Sequence, residues 1–417
     1  MIICCGEALI DMVRVPVPGL GEGFLPLAGG SPYNTAIAIG KLGVPVKFLG
    51  RFSKDFFGEI LVKRLRDSHV SEDLLIRGSQ NSTLAFVKLE KAKEPQYVFY
   101  TEGTADRSFS TTDLPTKLPE DTRCILFGSI SMTMEPIASA IEALILREGT
   151  RKSADQMDGA PIISFDPNIR PFMIKDKGVY IERLEKWVAA ATIAKISSAD
   201  FEYIYPKLTL EQSLQKTLAM GPRLVISTLG AKGAVALLRR NDGSVIRVNV
   251  PGIEVQVADT IGAGDTFHGA FLAWLEMKGK MSRSALAGLS ENDLYNALFF
   301  ANKAASIVCS RQGAEPPTRR EVESLKIAAP KSESKAKTAV KKAAAKNKPI
   351  AGKAAARSTK VPASKAAIKP KAKNSGKQKA AVKGSAPKKT AKPAVKPASK
   401  TAAKPATRPA GKGGKKK

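Results

Sequence analysis

Histidine is almost missing from this sequence: of 417 residues only His69 and His268 carry an imidazole. Cysteine is scarce as well. The four thiols, Cys4, Cys5, Cys124 and Cys309, show no CxxC spacing, so neither a His/Cys zinc cluster nor a disulfide framework is indicated. They read as buried, reduced thiols. No run of about 18 apolar residues occurs, which excludes a membrane-spanning helix. The N-terminal segment MIICCGEALIDM lacks a basic stretch and is broken by Glu7 and Asp11, so it reads as a first strand rather than a secretory signal, in a cytoplasmic protein.

Acidic residues are almost missing from the last fifth of the chain. Of 67 basic and 38 acidic residues, 28 basic and one acidic (Glu333) fall in 328–417, giving that segment +27 of the +29 net charge. The other 39 basic and 37 acidic residues leave 1–327 almost neutral. The 328–417 segment also has no Phe, Trp, Tyr, Cys or His. Built of Lys, Ala and Pro, it cannot bury enough apolar surface to offset its conformational entropy, and is expected to be a disordered basic tail. Residues 1–327 suit one large α/β domain with a minor appendage.

What is present in 1–327 is an alternation. Strand-like apolar runs lie at 2–5, 46–49, 124–127, 162–165, 193–196 and 224–227. Helical patterns follow at 32–42, 56–67, 135–147, 179–190, 210–219, 263–278 and 292–309. This predicts a mostly parallel sheet with helices on both faces. Two hairpins interrupt it: 83–89 with 96–101, joined by the KAKEP turn, and 234–238 with 244–250, joined across Arg240–Gly243. The first, together with 12–27, is too polar at alternate positions for a central strand. It reads as a small β lid.

The segment DTIGAGD, 259–265, carries the most chemistry. Gly262, Ala263 and Gly264 form a turn whose N–H groups can approach an anion. The following Phe267, Phe271, Trp274 and Leu275 are at helical spacing, which makes the turn a helix N-terminus. Asp265, in the first turn, can accept a proton from an attacking hydroxyl, so the segment reads as a phosphoryl-transfer site. Three further clusters sit after candidate strands, where a doubly wound sheet binds ligands. Asp11 and the double glycine Gly29-Gly30 precede Asn34, whose amide suits sugar hydroxyls. Asp166-Pro167-Asn168-Ile169-Arg170-Pro171 presents polar groups to one side, suiting hydroxyls and phosphate oxygens. In Ser227–Gly233, Thr228, Gly230, Lys232 and Gly233 are candidate nucleotide contacts. Each of these three also has a plain reading as a turn or helix entry. Asp200 and Glu202, near Ser197, suit either a magnesium-water shell or a surface helix start. His268 is read as a packing residue and His69 as solvent-facing.

The AGGxxxN segment 28–34 and the DTIGAGDTFHGAFL segment 259–272 resemble the two signatures of the PfkB (ribokinase-like) carbohydrate kinase family. CGEALIDM, DPNIRP, TLGAKG and CSRQGAEPP resemble its fructokinase branch. The resemblance covers about residues 1–320. It implies a three-layer αβα fold with a β lid, ATP, Mg2+ and a monovalent cation such as K+. Asp265 would be the catalytic base and Gly262–Gly264 the anion hole. Asp11, Gly29, Gly30 and Asn34 would bind the sugar, with Tyr100, Asn168 and Arg170 near it. Thr228, Gly230, Lys232, Gly233 and Asn302 would hold the nucleotide, and Asp259 and Ile261 the monovalent cation. The family's NxxE motif, which orders magnesium, is here Ser197 and Asp200, a departure. Phe99-Tyr100-Thr101 lacks the arginine that acid-sugar kinases of this kind place after the tyrosine, which argues against a carboxylate on the sugar.

The expected reaction is phosphorylation of the fructose 6-hydroxyl by ATP. The alternatives within the family are ribose, 2-keto-3-deoxygluconate or a nucleoside. From another class, the tail resembles those of linker histones and would bind DNA or RNA phosphates without sequence preference, placing the protein at the nucleoid. An exposed lid edge would pair two copies into a homodimer.

Overall fold

A computed structural model describes residues 1–19, 21–88, 96–149 and 159–327. The KAKEP turn and the 328–417 tail lie outside the described residues. All of the described residues belong to a unit spanning Met1–Glu333.

The chain begins as the apolar run predicts. Strand β1 (Ile2–Cys5) is buried along its whole length, and its side chains divide between two cores: Ile2 and Cys4 to one, Ile3 and Cys5 to the other. A strand covered on both faces needs apolar residues at every position, which is why it reads as a continuous run rather than an alternation. Strands β2 (Leu9–Val17) and β3 (Gly21–Gly29) then leave the main sheet, and helix α1 (Ser31–Lys41) returns the chain to β4 (Val46–Ser53), parallel to β1. Helix α2 (Phe56–Asp67) leads to the short β5 (Val70–Ser71) and β6 (Leu75–Gly78), both paired with β4. These two strands have no period long enough to predict.

Strands β7 (Thr83–Lys88) and β8 (Gln96–Tyr100) join β2 and β3 in a four-stranded sheet of order β3-β2-β7-β8, which is the β lid. The chain re-enters the main sheet at β9 (Cys124–Gly128), on the other side of β1, and continues through α3 (Ile137–Gly149), β10 (Ile162–Asp166), α4 (Lys177–Ala190), β11 (Ile193–Ser197), α5 (Ser198–Ile204), α6 (Leu210–Ala219) and β12 (Leu224–Thr228). The hairpin β13 (Ala234–Arg239) and β14 (Val245–Val250) closes that edge antiparallel. The last part is helical: α7 (Ala263–Met277), α8 (Arg283–Ala287), α9 (Glu291–Cys309) and α10 (Arg319–Ser324).

The main sheet therefore runs β14-β13-β12-β11-β10-β9-β1-β4-β5, parallel from β12 to β5. Successive strands add outward on one side of β1 and then on the other. The crevice at that reversal, beyond the carboxyl ends of the strands, is where such sheets bind ligands. Helices α1, α2, α7 and α9 cover one face and α3, α4, α5 and α6 the other, so the architecture is three-layered αβα. Three of the thiols are buried as expected, but Cys309 is only half-buried, because it ends α9 at the rim of a cavity.

Candidate active site

Helix α7 starts at a backbone conformation that its sequence dictates. Gly262 caps it with φ 73°, in the left-handed region, and a β-carbon there would lie 2.6 Å from the Ala314 methyl. Torsion and neighbour both require glycine. The N–H groups of Gly262 and Gly264 have no acceptor among the described residues, whereas that of Ala263 turns back onto the Thr260 carbonyl at 3.3 Å. Of the three turn residues, the donors that can meet an incoming anion are thus those of the two glycines, at the positive end of the helix.

Asp265, one turn in, is 7% exposed. Its Oδ1 accepts from the Ser31 hydroxyl at 2.6 Å and its Oδ2 from Asn34 Nδ2 at 3.0 Å, while Asn168 Nδ2 stands 3.4 Å from Oδ1. Burial pushes its pKa above the ordinary aspartate value, opposed by those Ser31 and Asn34 hydrogen bonds. Ser31 and Asn34 both come from the first turn of α1, so the Gly29-Gly30 segment delivers two donors to a carboxylate 231 to 234 residues away. Gly29 is compact because Asp11 is beside it: a β-carbon on Gly29 would lie 2.2 Å from Asp11 Oδ2.

Two cavities flank this turn. One, of about 410 Å³, is polar and includes Asp11, Gly30, Asn34, Asn168, Arg170 and Asp265 in its lining. Asn34 Oδ1, buried there, has no hydrogen-bond partner among the described residues and can accept from a ligand hydroxyl. Burial pushes the Asp11 pKa up to about 7, with the Arg170 charge opposing and the Asp265 charge adding to it. Arg170 is turned onto its own loop, donating to Asn168 Oδ1 at 2.7 Å and to two carbonyls. The second cavity, of about 610 Å³, is mostly apolar and includes Thr228, Gly230, Gly233, Val257, Phe267 and Asn302 in its lining. Asn302 spends one donor on the Pro251 carbonyl at 3.0 Å. Thr260 and Gly264 line both cavities, so the two meet at the N-terminus of α7.

Three expected contacts lie elsewhere. Tyr100 is exposed on the outer face of the lid, edge-on to Phe86, and its neighbour Phe99 lines the polar cavity instead. Strand residues alternate faces, and Phe99 pairs with Ala85, which pairs with Asp11, so the inner face is fixed by Asp11. Lys232 is exposed and does not line the apolar cavity. Asp200 is buried as the third residue of the capping box that starts α5: Oδ2 accepts from the Ser197 hydroxyl at 2.7 Å and Oδ1 from the Ile169 N–H at 2.9 Å. The helix-start reading of this residue is the one its contacts match, and Glu202 is exposed. Asp259 folds over its own loop, accepting from the N–H groups of Thr260, Ile261 and Gly313.

Other residues of the site were not foreseen. Glu7, 1% exposed, accepts from the Ser31 N–H at 3.1 Å and the Ser131 hydroxyl at 2.7 Å, and burial pushes its pKa up to about 7. Beneath the turn, Lys195 Nζ is 2.8 Å from Asp166 Oδ2, both side chains 5% exposed. Burial alone would raise the Asp166 pKa, but the Lys195 charge, the largest of the effects that lower it, holds it at about 2. His268 is buried as expected, yet it has one hydrogen-bond partner among the described residues: Nε2 is 2.7 Å from the Ser164 hydroxyl, while Nδ1, 3.8 Å from Asp166, is beyond hydrogen-bond reach. The signal for Glu7 was a charge inside a buried run. Nothing in the sequence spacing indicated Lys195.

Comparison with known proteins adds to this geometry. The profile of the pfkB family carbohydrate kinases matches residues 1–320. A fructokinase of Rhizobium leguminosarum bv. trifolii is 40% identical over 297 residues, 71% of this chain and 86% of that protein. Probable fructokinase-5 of Arabidopsis thaliana is 32% identical over 338 residues, 80% of this chain and 98% of its own. The crystal structure of a fructokinase with bound ATP from Xylella fastidiosa superimposes with a TM-score of 0.68 at 30% identity, covering 78% of this chain and 97% of that one. Among the described residues no helix is long and apolar enough to cross a membrane.

Proposed function

The chain belongs to the pfkB family of carbohydrate kinases and is an ATP-dependent sugar kinase, and we propose that it transfers the γ-phosphoryl group of ATP to the 6-hydroxyl of fructose. The observation that carries this reading is the meeting of two cavities, one polar and one apolar, at Thr260 and Gly264, with a buried carboxylate beside the junction. The polar cavity suits a polyhydroxyl: Asp11 and Asn34 Oδ1 accept, while Asn168 and Arg170 donate. The apolar cavity suits a nucleotide base, leaving the triphosphate directed at the α7 N-terminus. The fructokinase relatives favour fructose over ribose, 2-keto-3-deoxygluconate or a nucleoside.

In this reading Asp265 takes the proton of the sugar hydroxyl as the bond to phosphorus forms. The Gly262 and Gly264 N–H groups and the helix dipole meet the charge that gathers on the equatorial phosphoryl oxygens. The lid brings Phe99 over the sugar and limits water, which suppresses ATP hydrolysis. The described residues contain no group of three His, Cys, Asp or Glu side chains able to cage a metal. A Mg2+ ion would therefore arrive on the triphosphate and keep most of its waters, supplying charge neutralisation there. Asp259 and Ile261 would border a monovalent cation such as K+. The test is ADP release with MgATP against fructose, ribose, glucose, 2-keto-3-deoxygluconate and adenosine. Turnover mainly with fructose is expected, and turnover mainly with another member of the panel overturns the assignment of the sugar.

Two further readings concern surfaces. The charge of 328–417 suits non-specific contact with DNA or RNA phosphates, which would hold the protein at the nucleoid. The outer face of the lid, where Phe24 and Tyr100 stand exposed about Phe86, suits a second copy of the chain.

A further inference from the structure

Ser31 is held on every side except its hydroxyl rotor. Its N–H donates to Glu7 Oε1 at 3.1 Å, its carbonyl accepts from the Thr35 hydroxyl at 2.9 Å, and Pro32 follows it in the first turn of α1. Glu7 is itself pinned by the Ser131 N–H and hydroxyl. The one free torsion aims the Ser31 hydroxyl at Asp265 Oδ1, 2.6 Å away, the shortest contact that the carboxylate makes with the described residues. A hydroxyl donating to a charged carboxylate at that distance is a strong hydrogen bond, about twice as strong as a neutral one.

We infer that Ser31 is a positioning residue for the base: its hydroxyl fixes the direction of Asp265 Oδ1 and stabilises the charged, proton-accepting form of that carboxylate inside a buried cavity. This rests on the reading of Asp265 as the base. The need for such a donor follows from the surroundings. Asp166, at the end of β10, presses on Asp265, Asp11 in the lid is coupled to it, and Glu7, from the loop after β1, lines the same cavity. Against them, among the described residues around the cavity, stand Lys195, already paired with Asp166 in the layer below, and Arg170, turned onto its own loop. His268, on the same helix, is buried and its pKa is lowered by burial, so it adds no charge at neutral pH. Neutral donors must do what cations do not, and Ser31 and Asn34 are the two that reach within 3.0 Å. Burial raises the Asp265 pKa and the Ser31 hydrogen bond is the first of the effects that lower it. A carboxylate oxygen accepts more than one hydrogen bond, so the sugar hydroxyl can share Oδ1 without displacing Ser31.

The test is the pH profile of kcat for the full chain and for Ser31→Ala, Ser31→Cys and Ser31→Thr, with saturating MgATP and the sugar that the wild-type protein turns over best. That choice separates the two ideas: the wild-type panel decides the substrate, and the variants decide Ser31. In Ser31→Ala the acidic limb of kcat should move up by about one pH unit, the worth of one charge-assisted hydrogen bond net of a replacing water. The loss is then about tenfold at acidic pH and shrinks towards the alkaline plateau, with KM for the sugar changed less than about threefold. Ser31→Cys, a weaker donor, should fall between, and Ser31→Thr should restore the wild-type limb. An unmoved acidic limb in Ser31→Ala or Ser31→Cys, whichever remains folded by thermal unfolding, overturns the inference. So does a loss that is uniform in pH and lies mainly in KM.

Discussion

Replacing Asp265 by asparagine should separate catalysis from stability, in opposite directions. The substitution keeps the shape of the side chain. The oxygen of the new amide can accept from Asn34 Nδ2, as the carboxylate Oδ2 does at 3.0 Å, and its nitrogen can donate to the Ser31 hydroxyl, which accepts as readily as it donates. Only the weak 3.4 Å contact with Asn168 loses an acceptor. What disappears is the proton acceptor, and general-base catalysis contributes roughly 10²- to 10⁴-fold. The Gly262 and Gly264 donors remain, so some rate above water should survive. Stability moves the other way. Because burial raises the folded-state pKa of Asp265, the unfolded chain ionises first as pH rises above the ordinary value of 3.8, and the wild-type protein loses stability from there up through the folded-state pKa. The variant has no such loss. At pH 8 it should melt higher than wild type, and the two should converge below about pH 4, where the aspartate is neutral in both the folded and the unfolded chain. The assay is ADP release beside thermal unfolding at both pH values. A variant that keeps a tenth of the wild-type kcat would sink the assignment of Asp265 as base. One that melts lower at pH 8 would refute the argument from burial.

Asp11, pushed up to about 7, should be only partly charged at neutral pH. If sugar hydroxyls donate to it, KM for fructose in the wild-type protein should fall as pH rises through about 7, and Asp11→Asn should give a higher, pH-flat KM; a KM that varies identically in both proteins removes Asp11 from the sugar contacts. The tail reading predicts that the full chain retards a DNA fragment in a gel at low salt while residues 1–327 do not, with affinity falling steeply between about 50 and 200 mM salt; retardation by residues 1–327 alone would place the nucleic-acid contact elsewhere. The lid reading predicts a dimer by light scattering that becomes a monomer in Phe24→Glu, with Asp265 and its neighbours untouched; a wild-type monomer at micromolar concentration refutes it.

How far the sequence revealed this fold follows from how much of each signal is local. Strand β1 was legible because burial on both faces leaves no polar position. Helix α7 was legible because a glycine turn followed by an apolar face has few other solutions. The hairpin of β13 and β14 was marked by Asn241-Asp242-Gly243, and Gly243 takes φ 82°. Strands β5 and β6 were not legible. At two and four residues they are defined by their pairing with β4, a tertiary fact with no periodic trace. The site divides in the same way. The residues within the two signatures were visible as segments, but which side of a segment faces the ligand was not. Tyr100 and Phe99 differ by one position, and one position reverses the face of a strand. Only the register with Ala85 and Asp11 decides between them.

Charge explains why the deepest part of the site stayed hidden. Lys195 lies in a strand that reads as buried, where an ammonium is unfavourable unless a carboxylate meets it. Its partner, Asp166, is 29 residues away and was read as part of a ligand loop. The pair neutralises itself, so the open part of the cavity is left with Glu7, Asp11, Asp259 and Asp265 against one guanidinium, that of Arg170. A neutral polyhydroxyl is the natural guest of such a cavity, since its hydroxyls supply the donors that the carboxylates lack. A sugar acid would add a negative charge beside carboxylates that burial already makes costly to ionise, in a medium of low dielectric where like charges repel most strongly. The missing arginine after Tyr100 and the excess of carboxylates around Asp11 thus make the same argument by separate routes. One removes the cation that a sugar acid would need, and the other supplies the field that would turn it away.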